Sequence, residues 1–346
     1  MSSSLLRTCT KLCRQSILRN NQPTRLKTLY KAALLKDKVH DFSIEEIARK
    51  NLSSNQVRIQ VHYCTVNSND VPTFHEERKF PFTPGYEFGG EVIEIGKKVG
   101  KDQLMLGEKV VGLSLENMGG FAEECVISID DVFRLPSNLQ LKDAVILVNG
   151  HSLALLSFSK ASIKKNDYVI VSAGTGGLGL AAIDMASNVY GAKVIGVVDS
   201  SEKAELVREI GAFKTVISDA KLSQHLLSAL DKKPAKVVYD CVGGKVHEAL
   251  LKCVAPGGQV FLASSHLYKN LSPPPMNTSV TVLDLLQMKK QDTNAYRCTV
   301  NDVLDLADQG LITAHVSASF NFKDINKGIE YIEEHKATGK VLICML

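Results

Sequence analysis

The stretch YVIVSAGTGGLGLAAIDMASNVYGAKVIGVVD (168–199) decides the fold. YVIVSA is an apolar, β-branched run, GTGGLG follows it, and Leu180, Ile183, Ala186 and Val189 then recur at helical spacing. KVIGVVD (193–199) reads as a second strand, and SSEKAELVREIGA after it opens with a Ser-Ser-Glu capping signal. The alternation continues through TVIS (215–218), a helix carrying Leu222, Leu226 and Leu230, KVVYDCVGG (236–244) and GGQVFLAS (257–264). Strands alternating with helices over this length predict an α/β fold with a doubly wound parallel sheet of the Rossmann type.

The loop between the first strand and helix carries the chemistry. Gly174, Gly176 and Gly179 satisfy G-x-G-x-x-G, with Gly177 and Leu178 between them, directly after a strand and before a helix. Without side chains the backbone can turn tightly and approach a pyrophosphate, whose charge meets the free N–H groups at the helix N-terminus. Asp199 ends the second strand, where an acid suits the ribose hydroxyls of NAD; it reads equally as a helix N-cap. Ser200 and Lys203 follow, a polar and basic set suited to a 2′-phosphate.

Outside this region the texture changes. Residues 30–150 are short β-like runs punctuated by Gly, Pro, Asn and Asp, which predicts an irregular β barrel. After residue 298 come a helix, a β run, a second helix and the apolar strand VLICML. The nucleotide-binding domain is therefore expected at 151–298, inserted into a β-barrel domain of residues 30–150 plus 299–346. A cleft between the two is the natural ligand site.

Composition narrows the function classes. With 45% hydrophobic and 23% charged residues the chain is ordinary globular material. No uninterrupted apolar run reaches the length of a membrane span. Residues 1–29 hold Arg7, Lys11, Arg14, Arg19, Arg25 and Lys27 and no acid, so removing these six charges takes the formal net charge from +4 to −2. A basic, Ser/Thr-rich, amphipathic leader is the pattern of a mitochondrial transit peptide, which places the mature chain in the matrix. The remaining −2, with no basic run, argues against a nucleic-acid partner. The eight cysteines contain no C-x-x-C pair and read as reduced thiols.

FTPGYEFGGEVIEIG, GEKVVGL, GGFAEECV, SAGTGGLGLAAIDMA, KVIGVV followed by SSEK, VVYDCVGG and the C-terminal ATGKVL together resemble the zinc-free quinone oxidoreductase branch of the medium-chain dehydrogenase/reductase superfamily, over roughly residues 30–345. The resemblance implies a GroES-like barrel beside the Rossmann domain. Where zinc-using members have a cysteine and a histidine, this chain has Asn67, in VNSND, and Tyr86, in PGYE. An amide and a phenol are poor zinc ligands, so no catalytic zinc is expected.

Further roles follow from the same resemblance. It places Asn67 beside the nicotinamide, holding the ring or orienting a substrate carbonyl, and Ser152 near the carboxamide. Lys203 matches a residue that engages the 2′-phosphate, which points to NADPH and leaves NADH open. Val242 and Gly243 match a loop near the cofactor. The implied reaction is hydride transfer to a quinone or an activated enone, with Asn67 and Tyr86 as candidate oxyanion donors; Tyr86 alternatively only packs beneath the loop.

Several departures leave open a cofactor-binding protein with little turnover, acting in redox sensing or as a structural partner. The loop carrying Asp70 and His75 is short, Ser264-Ser265-His266 replaces an expected glycine, and Asn149 and His151 stand in a segment usually apolar and small. Asp70 reads as a helix cap or a carboxylate holding this loop. The segment near 279–283, an edge strand that pairs across a dimer in relatives, is followed by polar MKKQDTNAYR, which points to a monomer or an altered homodimer.

Overall fold

The computed structural model describes residues 28–37, 41–70, 79–172, 177–263 and 273–345. Most of the leader, His75, Gly174, Gly176 and Ser264-Ser265-His266 lie outside the described residues.

The N-terminal part is built on long, offset antiparallel strands. β1 (Leu29–Leu34) and β2 (Ser43–Ala48) form a separate two-stranded sheet. β3 (Gln56–Val66) is the organising strand and pairs antiparallel with both β4 (Glu87–Ile95) and β6 (Glu124–Ser128). β5 (Lys109–Leu113) and β7 (Val132–Arg134) extend the sheet on the far side of β4. Along β3 the residues Val57, Ile59 and Val61 are buried together with Val92, Val110 and Ile127, giving this half its own apolar core.

α1 (Leu141–Lys160) carries the chain out of the barrel. By length and composition this helix could cross a bilayer, but most of it is buried inside the protein, which is how a core helix reads. The second sheet then assembles from β8 (Tyr168–Ser172), α2 (Gly177–Asp184), β9 (Lys193–Val198), α3 (Ser201–Ile210), β10 (Lys214–Ile217), α4 (Leu222–Ala229), β11 (Ala235–Asp240), α5 (Gly244–Leu251), β12 (Val254–Leu262) and β13 (Ser279–Val282). Its strand order is β10-β9-β8-β11-β12-β13, parallel throughout. Burial on both faces explains the nearly continuous apolar runs.

β13 is present but only four residues long, and it forms one edge of this sheet. The polar segment after it is helical, forming α6 (Leu285–Gln291) and α7 (Thr293–Asp308); Asp284 and Asp292 cap their first turns. The chain then returns to the first sheet: β14 (Val316–Asn321), α8 (Ile325–Glu333) and β15 (Lys340–Cys344), with β15 pairing antiparallel to the end of β3. Val341 lies opposite Val66, so the first residue of β15 falls beside the end of β3.

Candidate functional site

Four polar side chains meet where β3, β4 and β15 converge. Lys340 Nζ donates to Glu87 Oε2 at 2.6 Å and to Asn67 Oδ1 at 2.7 Å. Asn67 Nδ2 donates to Thr65 Oγ1 at 3.0 Å and to Glu87 Oε2 at 3.4 Å, and the Thr65 hydroxyl donates to Glu87. Glu87 and Thr65 are fully buried and Lys340 nearly so. The carboxylate is held on its other side by the backbone N–H of Asn149, 3.1 Å from Oε1. A charge pair this deep is stable only because its hydrogen bonds are completed.

The same lysine reaches the start of α2. A Cβ placed on Gly177, the first residue of α2, would lie 2.9–3.0 Å from Cγ, Cδ and Cε of Lys340. The lysine stem therefore crosses the first turn of α2 in space that only a glycine leaves free. α1 crosses that turn from another side: a Cβ on Gly150 would come within 3.4 Å of the Gly177 carbonyl oxygen and 3.7 Å of the Leu178 side chain. Next on α1, Ser152 is fully buried and its hydroxyl has no hydrogen-bond partner among the described residues. A buried hydroxyl left without a partner costs about 1–3 kcal/mol.

Tyr86 lies on the other side of Glu87 and is buried; its hydroxyl oxygen accepts from Asn149 Nδ2 at 3.1 Å. Burial, reinforced by the Glu87 and Asp70 carboxylates, pushes its pKa well above that of an ordinary phenol, so the group keeps its proton. Asn149, a departure from the resemblance, thus supports Tyr86 directly. His151, the other departure, is buried with ring nitrogens 3.2 Å from the Leu147 carbonyl and from Asp184 Oδ2. Asp184 also accepts from the backbone of Thr313, which ties the returning chain to α2.

Asp70 holds the loop that presents Asn67. Its carboxylate accepts from the backbone N–H of Asn67 at 2.9 Å and of Gly85 at 3.1 Å. Burial dominates and raises its pKa to about 7, although those two donors act in the opposite direction. A raised folded-state pKa means that Asp70 favours the fold fully below about pH 4, and that this contribution is lost as pH rises toward about 7. Unfolding free energy is expected to fall across that window by up to about 1.4 kcal/mol per pH unit more steeply than in Asp70→Asn. Denaturant titrations of both proteins at several pH values would show it, and identical pH dependences would refute it.

The remaining sequence-derived residues sit along the carboxyl ends of the parallel strands. Leu178 and Gly179 lie in the first turns of α2. After β9, Lys203 Nζ donates to Asp199 Oδ2 at 2.7 Å, with Asp199 the more exposed partner. The N-cap of α3 is Ser200, whose hydroxyl accepts from the Lys203 backbone at 3.2 Å, so Asp199 is not the cap. After β11, Asp240 Oδ1 accepts from the backbone of Val242 and Gly243 and from Ser172, while Oδ2 faces His247 at 2.9 Å. Burial opposes its ionisation, but the His247, Gly243, Val242 and Ser172 donors together outweigh it and hold the carboxyl below its usual range. Gly243 adopts φ +76°, which lets the chain turn sharply there.

The structure thus joins Asn67 to the glycine-loop helix through Lys340, a residue the sequence reading passed over, as it did Glu87 and Thr65. The available signal was a charge inside an apolar strand: Lys340 opens KVLIC and Glu87 opens EFGGEVIEI. A charge at a buried strand position needs a mate, and the two are mates. Cys64, by contrast, is a buried thiol; burial, with Asp70 and Glu87, pushes its pKa well up. Among the described residues no three His, Cys, Asp or Glu side chains converge as a metal site.

Comparison with known proteins agrees with this architecture. The alcohol dehydrogenase GroES-like domain family matches residues 53–137, and the zinc-binding dehydrogenase family matches residues 177–307. The quinone oxidoreductase-like protein 2 homolog of Nematostella vectensis is 33% identical over 334 residues, spanning 93% of this chain and 90% of that one. Quinone oxidoreductase-like protein 2 of Mus musculus is 31% identical over 328 residues, spanning 91% of this chain and 92% of the other. The solved quinone oxidoreductase of Coxiella burnetii superposes with a TM-score of 0.78 at 22% identity, covering 92% of this chain and all of that one. With its GroES-like and Rossmann halves and these relatives along nearly its whole length, the chain belongs to the medium-chain dehydrogenase/reductase superfamily, among its quinone oxidoreductase-like proteins.

Proposed function

We propose that this oxidoreductase uses NADPH, without zinc, to reduce a quinone or an activated enone. Ser152 carries the cofactor reading: a fully buried hydroxyl without a partner among the described residues, on the helix that crosses the first turn of α2. The relatives named quinone oxidoreductase-like protein 2 support the acceptor class.

When bound, NADPH supplies a hydride from its nicotinamide. Gly177, Leu178 and Gly179, with Gly174 and Gly176, hold its pyrophosphate, while Val242 and Gly243 border its path. Ser152 and Asn67 orient the ring. Lys203 attracts the 2′-phosphate, which competes with Asp199 for the ammonium. Tyr86 keeps its proton and, with its oxygen supported by Asn149, offers a donor to an acceptor oxygen that gains charge. The zinc-free reading is supported by Asn67, whose amide oxygen is engaged by an ammonium, and by Tyr86, a phenol, neither of them a good donor to the metal.

The wild-type protein is expected to oxidise NADPH in the presence of a small ortho-quinone or an enone, and Gly176→Val to abolish both NADPH binding and oxidation. Tight NADPH binding with no oxidation across a quinone and enone panel would instead indicate a cofactor-binding protein with little turnover. Absence of NADPH binding would refute both.

A further inference from the structure

His151 has no part in the chemistry above, yet it is 4% exposed and both of its ring nitrogens face acceptors. Nδ1 lies 3.2 Å from the Leu147 carbonyl oxygen, which can only accept, and Nε2 lies 3.2 Å from Asp184 Oδ2. Asp184 is an acceptor on every side. Its Oδ2 takes the Thr313 N–H at 2.8 Å and its Oδ1 takes Asn188 Nδ2 at 2.6 Å. Burial opposes its ionisation, but the His151, Thr313 and Asn188 donors together outweigh it and hold the carboxyl below its usual range. A neutral imidazole has one N–H and would set a bare nitrogen against one of these oxygens. An imidazolium donates to both.

The other ionisable groups around the ring leave that charge to His151. A small cavity beside it is lined also by His315 and Lys340. Burial lowers the pKa of His315, with Asp184 acting in the opposite direction, so this second imidazole stays neutral. The Lys340 ammonium is matched by Glu87 of β4. α7 packs on α1 with no charged side chain among its buried residues.

The pair ties the returning chain to α2. Two residues beyond Thr313, the His315 carbonyl accepts from the Lys340 N–H at 2.9 Å. Lys340 in turn lies on Gly177 and reaches Glu87 and Asn67. We propose that His151 is kept as an imidazolium and works as a pH-sensitive tie: with both ring protons it fixes Asp184 and Thr313, and release of one proton to water loosens the segment that seats Lys340. This goes beyond the cofactor reading and does not depend on it. A free imidazole loses its proton near about pH 6.5, so a proton retained by the fold makes the tie complete below that pH and weaker as pH rises further.

The test reads the ring by NMR in protein carrying 15N-labelled histidine, with His151→Gln to assign the signals. At pH 7, where a free imidazole is mostly neutral, wild-type His151 is expected to show protons on both nitrogens. Hydrogen exchange of the Thr313 and Lys340 amides reads the tie itself. Corrected for the intrinsic pH dependence of exchange, their protection should fall about tenfold between pH 7 and pH 9 in the wild type, the effect of one lost charged hydrogen bond. In His151→Gln it should change by less than about twofold. Asp184→Asn keeps an acceptor for Thr313 but removes the charge, so its His151 should carry a single ring proton at pH 7 and its amides should lose the extra pH dependence. If His151→Gln does not fold, Asp184→Asn decides. A bare ring nitrogen in wild-type His151 at pH 7, or the same fall in protection in the wild type and the variant, would overturn the proposal.

Discussion

Replacing Lys340 with Met is expected to lower the unfolding free energy by about 3–5 kcal/mol, while Lys340→Met combined with Glu87→Gln recovers most of the loss. Lys340 is 4% exposed and Glu87 not at all, so the single change strands a carboxylate where water cannot reach it. Glutamine at position 87 can turn its carbonyl oxygen to the Asn149 N–H and its amide nitrogen to Thr65 Oγ1, which then accepts instead of donating, without leaving a charge. Desolvation of an unpaired ion therefore dominates the single variant and is absent from the double one. Denaturant midpoints of wild type, both singles and the double close the cycle. A double variant no more stable than Lys340→Met would mean that the pair contributes little and the lysine stem does the packing.

Gly90→Ala is the second large effect, at about 3 kcal/mol or more of destabilisation. The Cβ it adds would stand 1.8 Å from the carbonyl oxygen of Gln60 and 2.9 Å from a methyl of Ile59. Gly90 lies opposite Val61 in the β3–β4 ladder, where the register shifts between Val61 and Tyr63. The obstacle is main chain, which cannot move aside as a side chain can, so the strands must separate. Gly310→Ala is the control: its φ of +71° imposes about 1–2 kcal/mol of backbone strain, but nothing lies within 4 Å of the new methyl. Since β3 carries Thr65 and ends directly before Asn67, the activity of Gly90→Ala should fall further than its stability alone requires. Equal destabilisation by the two substitutions would refute the steric account.

These residues show where local sequence suffices. The Rossmann half was legible because its signals are local: an apolar run, a glycine loop and a helical period succeed one another in 168–199. Ser200 as a cap follows the same logic, since a cap is settled by residues three apart. Asp199 was not settled, because strand end and cap are adjacent in sequence and only geometry separates them. The family motifs around Asn67 singled it out, and the structure brings it into the Thr65–Glu87–Lys340 cluster.

The hydrogen-bonding state of Asn67 was not legible in this way. It depends on Lys340, 273 residues away, and on Glu87, 20 residues away. No periodicity links Lys340 to Asn67 and Glu87, because β15 joins the paired β3 and β4 only after the chain has crossed to the second sheet and returned. The sequence by itself determined the architecture and the absence of a strong zinc donor at positions 67 and 86, because each rests on residue type or short spacing. Only the tertiary structure decided which way the Asn67 amide faces, because that is set by the charges brought against it, and β15 reaches β3 only in the folded chain.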